Sequence, residues 1–258
     1  MHMTGVDKSR IVGHRGCGNL APGSTMAAFE KAAEIGLMWV EFDVRLTADG
    51  HLVIANKDDL FDVSGENVEV SQSTLRDLQG INVAQNFPGA QKVHTIPMFE
   101  DVMQFCINHG IRTQIELKVK PSQEAALAMA VVDTLGQDRF SFPEGKEPLI
   151  TSFSQEALLA VKQFSQGTLP TGLLIHPHLI EQWQAAAMRV QPDYIHIFGG
   201  LNTGDKTPLI HRYGKDVIAQ GYHLNAFHVD TPEHARLAIE AGAERFTSNE
   251  PKLLMEVT

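Results

Sequence analysis

Two short stretches carry most of the information about the fold and the candidate site: Gly13-His14-Arg15-Gly16 and Val40-Glu41-Phe42-Asp43-Val44. In a β-strand, successive side chains point to opposite faces, so Glu41 and Asp43 share one face and the three apolar residues share the other. Two carboxylates on one face repel each other unless a positive charge lies between them. The second stretch therefore predicts a strand with one apolar face and one acidic face.

Strand-like and helix-like segments alternate along the rest of the chain. The apolar segments around Ile11 and Val40 are the first two predicted strands, and each of the eight strands is followed by a helical pattern. Eight such units in 258 residues are typical of a closed parallel (β/α)8 TIM barrel. An open doubly wound sheet is the alternative. The six later strands are predicted at Thr113–Leu117, Leu149–Ser152, Gly172–Ile175, Tyr194–Phe198, Tyr222–Phe227 and Arg245–Ser248. The helices among them are predicted at Gln123–Leu135, Gln155–Phe164, Ile180–Met188, Lys206–Ala219 and Pro232–Ala241.

One insertion, approximately residues 46–96, interrupts the alternation within what is otherwise a single domain spanning residues 1–258. A turn at Thr47–Gly50 joins the second strand to Leu52–Ala55, a connection too short for a parallel crossover, so the two segments should form a hairpin. The hairpin returns Asn56 to the level of the two acids. The remaining segment, Phe61–Thr95, is turn-rich apart from a short helix near Thr74–Leu78, and a loop of this length often covers a site.

Composition excludes several classes of partner. The net charge of −10 disfavours a nucleic acid or an anionic membrane as partner, because both require a basic face. No apolar run reaches the roughly 18 residues of a membrane span, so no integral membrane association is expected. Cys17 and Cys106 lack C-x-x-C spacing, and the start Met1–Lys8 lacks an apolar core of signal-peptide length. A reducing, cytoplasmic location is therefore expected.

Acidic side chains from two strands are expected to meet. Glu116 and Lys118 alternate in the same way as Glu41 and Asp43, and in a barrel their strands are neighbours. Three carboxylates without a thiolate suit Mg²⁺ or Ca²⁺ better than Zn²⁺. The plainer interpretation is that each acid is paired with a lysine or arginine. The second acid-and-lysine strand end favours a metal site.

The loop after the first strand carries a candidate base and a candidate phosphate ligand. A histidine such as His14 can transfer protons near neutral pH, and the Arg15 guanidinium can grip a phosphate in a fork. A capped loop histidine beside a surface arginine is the simpler account of this pair. The glycines here have the reverse of the G-x-G-x-x-G spacing, which excludes a dinucleotide loop.

Taken together, these motifs resemble the glycerophosphodiester phosphodiesterases. The resemblance rests on an ordered set that spans nearly the whole chain: Gly13–Gly16, Pro22, Thr25, Ala28-Phe29, Glu41–Val44, Thr47, Asp49-Gly50, Asp58, Leu60, Ile115–Lys118, Ser152-Phe153, Phe227–Asp230 and Phe246–Pro251. It implies a barrel that uses a divalent cation, usually Ca²⁺ or Mg²⁺, to split a small-molecule glycerophosphodiester into glycerol 3-phosphate and an alcohol. The resemblance further implies that His14 is one of two acid/base histidines. It also assigns Arg15 and Lys118 to the phosphate, and Glu41, Asp43 and Glu116 to the metal.

The sequence departs from the family pattern at the second histidine. Asn56 stands at that position, and an asparagine can donate a hydrogen bond but cannot shuttle a proton near pH 7. Two further departures are Pro22–Thr25, which lacks the family's acid after the proline, and Asn249-Glu250-Pro251, where the family's closing acid is altered. Three hypotheses follow: an active enzyme in which Asn56, Lys57 or Asp58 partly fills the missing role, a non-catalytic binder of a glycerophosphodiester or phosphate, and an enzyme for a different phosphodiester.

Other histidines have simpler interpretations. His176-Pro177-His178 has H-x-H spacing but no matching acid upstream, which favours a surface loop over a metal site. His196 alternates with Tyr194 and Phe198, so a filled barrel interior is its plainer role. His228 ends a strand, where a contact with substrate and a loop role are both open.

Overall fold

The computed structural model describes residues 6–201 and 207–256, and within them nine strands form one sheet. The sheet closes because β1 pairs in parallel with both β2 and β9. The predicted closed barrel is therefore confirmed, and the open doubly wound alternative is wrong. Eight of the described strands run parallel around the barrel, and β3 is an antiparallel addition to β2. The strands are β1 (Ile11–Gly13), β2 (Trp39–Leu46), β3 (Leu52–Ile54), β4 (Arg112–Leu117), β5 (Leu149–Ser152), β6 (Thr171–Leu174), β7 (Tyr194–Phe198), β8 (His223–Phe227) and β9 (Arg245–Ser248).

Helices follow the barrel strands and occupy part of the insertion. In chain order they are α1 (Met26–Glu34), α2 (Phe61–Ser64), α3 (Leu75–Leu78), α4 (Phe99–Asn108), α5 (Glu124–Leu135), α6 (Gln155–Phe164), α7 (Trp183–Val190), α8 (Leu209–Ala219), α9 (Pro232–Glu240) and α10 (Pro251–Glu256). Among the described residues, none of these helices is long and apolar enough to span a bilayer.

Two predicted helices begin three residues before the corresponding α-helices of the structure. The one predicted at Ile180–Met188 is a 3₁₀ segment, Pro177–Gln182, followed by α7. Pro177 occupies the first turn of that segment, where a missing backbone N–H costs no hydrogen bond. The helix predicted from Lys206 begins at Leu209 directly after Pro208, and Lys206 itself lies outside the described residues.

The apolar face of β2 packs outward against two helices. Phe42 is fully buried, with its ring 5.6 Å from that of Phe29 on α1 and 6.2 Å from that of Phe99 on α4. Burying a side chain of this size stabilises the fold by roughly 1.5–3 kcal/mol. Because the side chains alternate, this packing turns Glu41 and Asp43 toward the barrel interior, and the predicted separation of an acidic face from an apolar face is confirmed.

The insertion has a small core of its own. β3 pairs antiparallel with β2, so the predicted hairpin is confirmed, and the Ala55 N–H donates to the Asp43 carbonyl at 3.0 Å. Eight buried side chains form the insertion core: Val53, Ala55, Leu60, Val70, Leu78, Ile81, Val83 and Ile96. The short helix predicted near Leu78 is α3, and it begins with a capping box between Thr74 and Asp77. This core holds the insertion as a folded cover beside the end of β2.

Candidate active site

Every residue that the sequence singled out for the site lies at the carboxyl end of the barrel. β2 and β4 are neighbours in parallel register, with Asp43 opposite Glu116. A cavity of about 90 Å³ at this end is lined by all seven of the predicted site residues: His14, Arg15, Glu41, Asp43, Asn56, Glu116 and Lys118. The structure therefore brings these seven side chains together in one cavity.

The three carboxylates form one buried cluster. Each offers an oxygen, and the oxygens from Glu41, Asp43 and Glu116 lie within 4.8 Å of one another. Within the described part of the chain, Glu41 Oε1 and Asp43 Oδ2 make no hydrogen bond. Glu41 Oε2 accepts a hydrogen bond from the Arg15 backbone N–H at 3.1 Å. Unpartnered buried carboxylate oxygens are costly, and they are the ligand type that a hard divalent cation prefers.

Two cations reach this cluster from its rim. Lys118 Nζ lies 3.2 Å from Asp43 Oδ1 and 2.5 Å from Glu116 Oε1, and Arg15 Nε lies 3.4 Å from Asp43 Oδ2. The simple pairing of acids with cations thus applies to Asp43 and Glu116. It does not extend to Glu41, which among the described residues has only His14 Nε2 as an ion-pair contact, at 3.9 Å, and that contact carries a positive charge only if His14 is protonated. Two permanent cations face three carboxylates.

The protonation of the acids reflects this imbalance. Burial, reinforced by Asp43 and Glu116, raises the pKa of Glu41 well above its ordinary value. Burial and Asp43 raise the pKa of Glu116 to about 7. Burial also acts to raise the pKa of Asp43, but Lys118 and Arg15 outweigh it and hold that pKa below its ordinary value. A further positive charge is needed to keep all three acids ionised, so the donor set fits a hard divalent cation such as Mg²⁺ or Ca²⁺.

His14 is held by a chain of hydrogen bonds from the last strand. Its Nδ1 atom lies 2.5 Å from Asn249 Oδ1. Asp230 fixes Asn249 in turn, accepting from the Asn249 backbone N–H at 2.7 Å and from Nδ2 at 2.9 Å. Burial, with contributions from His228 and Arg15, lowers the pKa of His14 to about 3. The imidazole is therefore neutral at pH 7.

A second histidine meets His14 in the cavity. His228 follows β8, and its Nε2 atom lies 3.1 Å from His14 Nε2 with ring centroids 4.1 Å apart. From the sequence, both a contact with substrate and a role in a loop were open for His228. In the structure this residue lines the cavity. Its position directly after a barrel strand was the signal, because strand ends of this fold carry functional side chains.

The other histidines that the sequence analysis considered, His176, His178 and His196, do not line this cavity. His176 is exposed and stacks on Phe153 with centroids 3.9 Å apart. His178 is also exposed, which supports the surface-loop interpretation. His196 is fully buried in the barrel, so the interior-filling interpretation is confirmed.

Asn56 lies where the hairpin was predicted to return it. Arg45 anchors its backbone carbonyl, donating from Nη2 at 2.8 Å and from Nε at 3.2 Å. Asn56 lines the same cavity as Asp43 and helps to lower the pKa of that carboxyl. The asparagine is thus held among the site residues, but it offers no group that titrates near neutral pH.

A larger cavity of about 360 Å³ adjoins the acidic one and shares Arg15 and Asn56 with it. Its far wall comes from the insertion and is mainly apolar, with Val63, Val83 and Phe87 among the lining side chains. The two cavities together offer one polar and one mainly apolar compartment. Arg15 and Asn56 lie at their boundary.

The fold and the site define a class of protein: a TIM barrel with an acidic cluster and a histidine pair at the catalytic end, suited to chemistry on an anionic group. The family model described as "Glycerophosphoryl diester phosphodiesterase family" matches residues 14–253. The chain therefore belongs to this family of hydrolases.

Individual relatives agree with the family match. The chain is 28% identical to a glycerophosphodiester phosphodiesterase of Caldanaerobacter subterraneus, covering 97% of this chain and 98% of the relative. It is 24% identical to a glycerophosphodiester phosphodiesterase of Bacillus subtilis, covering 73% and 69% of the two chains. Among solved structures, an Oleispira antarctica phosphodiesterase in complex with the product sn-glycerol-3-phosphate shares the fold, with a TM-score of 0.83, 23% identity and 96% of each chain covered.

Proposed function

We propose that the protein is a metal-dependent glycerophosphodiester phosphodiesterase that hydrolyses its substrate to glycerol 3-phosphate and an alcohol. The observation that carries this proposal is the meeting of three buried acids with His14 in one cavity. Glu41, Asp43 and Glu116 would hold Ca²⁺ or Mg²⁺, and a bound divalent cation supplies charge stabilisation for the phosphoryl oxygens. Two buried free thiols, Cys17 and Cys106, support a reducing, cytoplasmic setting.

Arg15 and Lys118 are the phosphate ligands in this proposal. In the described structure the buried Arg15 Nε atom has no hydrogen-bond partner, and Lys118 Nζ lies at the rim of the acid cluster. Both point into the cavity that the acids line. An arginine fork and a lysine ammonium can bind two phosphate oxygens and hold phosphorus next to the histidine.

His14 acts as the base. Its ring is neutral at pH 7, and Nδ1 is engaged by Asn249, which leaves Nε2 facing the cavity. A neutral imidazole can take a proton from an attacking water as the oxygen–phosphorus bond forms. The alcohol portion of the substrate would extend into the 360 Å³ cavity, because that cavity opens at Arg15, beside the phosphate position.

Release of glycerol 3-phosphate from glycerophosphocholine tests the proposal directly. We expect turnover with Ca²⁺ or Mg²⁺, loss of turnover with a chelator, and recovery when the cation is returned. Glycerophosphoethanolamine, glycerophosphoinositol and glycerophosphoglycerol extend the test to other alcohols. No turnover of any of these diesters with either cation across pH 6–9 would refute the proposal.

The asparagine at position 56 favours one other function, a non-catalytic binder of a glycerophosphodiester or phosphate. Loss of a proton-transfer group typically costs about 10²- to 10⁴-fold in rate. The variant Asn56→His separates the two functions. A binder would bind glycerol 3-phosphate without turnover and would gain activity only in this variant, whereas an enzyme turns over without it.

A further inference from the structure

We propose that His228 supplies the second proton-transfer group of this active site and protonates the leaving alcohol. The proposal rests on the proposed phosphodiesterase function, and it assigns to the end of β8 a role that Asn56 cannot perform. His228 lines the same 90 Å³ cavity as the acids and Lys118, and its ring is partly exposed to that cavity. It can therefore touch a bound substrate.

The hydrogen bonds around His14 assign a donor and an acceptor to the histidine pair. Asn249 Nδ2 donates to Asp230 Oδ2, so the Oδ1 atom of Asn249 is the one that faces His14 Nδ1. An amide oxygen only accepts, so Nδ1 of His14 carries the hydrogen and its Nε2 atom is a lone-pair acceptor. The 3.1 Å contact between the two Nε2 atoms then requires the hydrogen to belong to His228. His14 is arranged as the base, and His228 as the acid.

The reaction balances with these two roles. Water attacks phosphorus, the new oxygen–phosphorus bond forms, and the water proton passes to His14 Nε2. The bond between phosphorus and the alcohol oxygen breaks, and that oxygen takes the Nε2 proton of His228, which starts the cycle as an imidazolium. Burial lowers the pKa of His228, whereas the Asp230 carboxylate acts to raise it, and the phosphate anion of the substrate adds to the influence of Asp230 in favour of the protonated form. The products are glycerol 3-phosphate and the free alcohol, with one proton gained by His14 and one lost by His228.

The short distance between the two rings explains how the cycle closes. In-line displacement places the entering and leaving oxygens on opposite sides of phosphorus, so the proposal requires the His228 ring to turn away from His14, which Asn249 holds in place, when the substrate enters. After the alcohol leaves, the rings return to their contact at 3.1 Å, and the proton moves directly from His14 Nε2 to His228 Nε2. Both groups are then ready for another substrate.

A leaving-group comparison tests the acid role. The variant His228→Gln keeps a hydrogen-bond donor near His14 but cannot transfer a proton. With glycerophosphocholine, whose alkoxide must be protonated, we expect kcat to fall by about 10²-fold or more. With the glycerophosphodiester of p-nitrophenol, which leaves as a stable anion, we expect a loss of less than about tenfold.

Two further variants complete the experiment. The matched control His178→Gln alters an exposed histidine at the same end of the barrel and should leave both rates at the wild-type value. Adding Asn56→His to His228→Gln should restore part of the glycerophosphocholine rate. Thermal unfolding followed by circular dichroism verifies that each variant is folded. Imidazole ¹⁵N spectra of the wild type should show His14 with hydrogen on Nδ1 and His228 with hydrogen on Nε2.

Each outcome separates this proposal from the function it rests on. If the wild type turns over both substrates and His228→Gln matches it, the acid role is wrong and the phosphodiesterase function stands. If His228→Gln lowers both rates equally, the role of His228 is structural and the acid role is wrong. If the wild type turns over neither substrate, both proposals are wrong.

Discussion

Asn249 Oδ1 lies 2.5 Å from His14 Nδ1, and this contact joins the end of β9 to the loop that follows β1. The amide is itself fixed, because Asp230 accepts from both its side chain and its backbone. Asn249 thus acts as a positioning residue that sets the ring orientation of His14. The carboxylate in this series of hydrogen bonds belongs to Asp230, which is one residue further from His14 than the acid of a direct carboxylate–histidine pair would be.

Exchanging the side chains of Asn249 and Asp230 tests whether the fold accepts the acid at position 249 and the amide at position 230 equally well. In Asn249→Asp, two carboxylates face each other where Nδ2 now donates to Asp230 at 2.9 Å. We expect the free energy of unfolding to fall by about 1–3 kcal/mol, since a partly buried hydrogen bond is replaced by like charges. The double variant Asp230→Asn/Asn249→Asp restores an amide–carboxylate pair. Urea unfolding should show it recovering to within about 1 kcal/mol of wild type. If the stability losses of the two single substitutions simply added up in the double variant, the two positions would not be interchangeable.

Glu41→Gln should separate stability from metal binding. Glu41 is buried beside two other acids, so without a divalent cation its removal relieves repulsion and desolvation. We expect the chelated variant to unfold at a higher temperature than the chelated wild type. Saturating Ca²⁺ or Mg²⁺ should stabilise the wild type by about 3–4 kcal/mol at 100 to 1,000 times Kd and leave the variant unchanged. The exposed Glu66→Gln variant should behave as wild type. Equal stabilisation of all three proteins by the cation would contradict Glu41 as a ligand.

The acid cluster could be predicted from sequence because it depends on two local regularities. Alternation along β2 fixes that Glu41 and Asp43 share a face, and the βα pattern makes β4 the parallel neighbour of β2. The structure has Asp43 opposite Glu116, so a strand assignment correct to one or two residues was sufficient. The hairpin turn likewise determined where Asn56 would lie.

The support around His14 could not be predicted in this way. Asn249 and His228 are 235 and 214 residues away from His14 in sequence. Their contacts depend on the closure of the barrel, which brings β9 beside β1, and on the register of that closing pair. No turn or short connection sets this register. It follows from the stagger of all the strands together.

His196 should make folding stability depend on pH. Burial is the main reason why the pKa of His196 falls to about 3, so the native state binds no proton there near neutral pH. Below the unfolded pKa of about 6.5, His196 binds a proton in the unfolded chain but not in the native chain. The free energy of unfolding therefore decreases as the pH is lowered. Between pH 7.5 and pH 5 the loss should be about 2 kcal/mol from this residue. His196→Gln should remove that part of the pH dependence in urea unfolding.

An exposed histidine provides the control for this measurement. His211 lies on α8 at the surface, and His211→Gln should retain the pH dependence of the wild type. The comparison concerns the difference between pH values within each protein, so a general loss of stability from repacking cancels. A pH dependence in His196→Gln equal to that of wild type would show that His196 does not cause it.

The insertion should determine which alcohol the enzyme accepts, because it forms the wall of the 360 Å³ cavity next to Arg15. Val83 is a buried residue of that wall, and Val83→Phe places a ring in the space proposed for the alcohol. We expect kcat/KM for glycerophosphoinositol to fall about tenfold relative to glycerophosphoethanolamine, since a small change in pocket volume discriminates by about 1–3 kcal/mol. The loss should appear in KM, because the phosphate and His14 stay in place. Val93 is 68% exposed and does not line this cavity, so Val93→Phe should keep the wild-type ratio. An unchanged ratio in Val83→Phe would place the alcohol elsewhere.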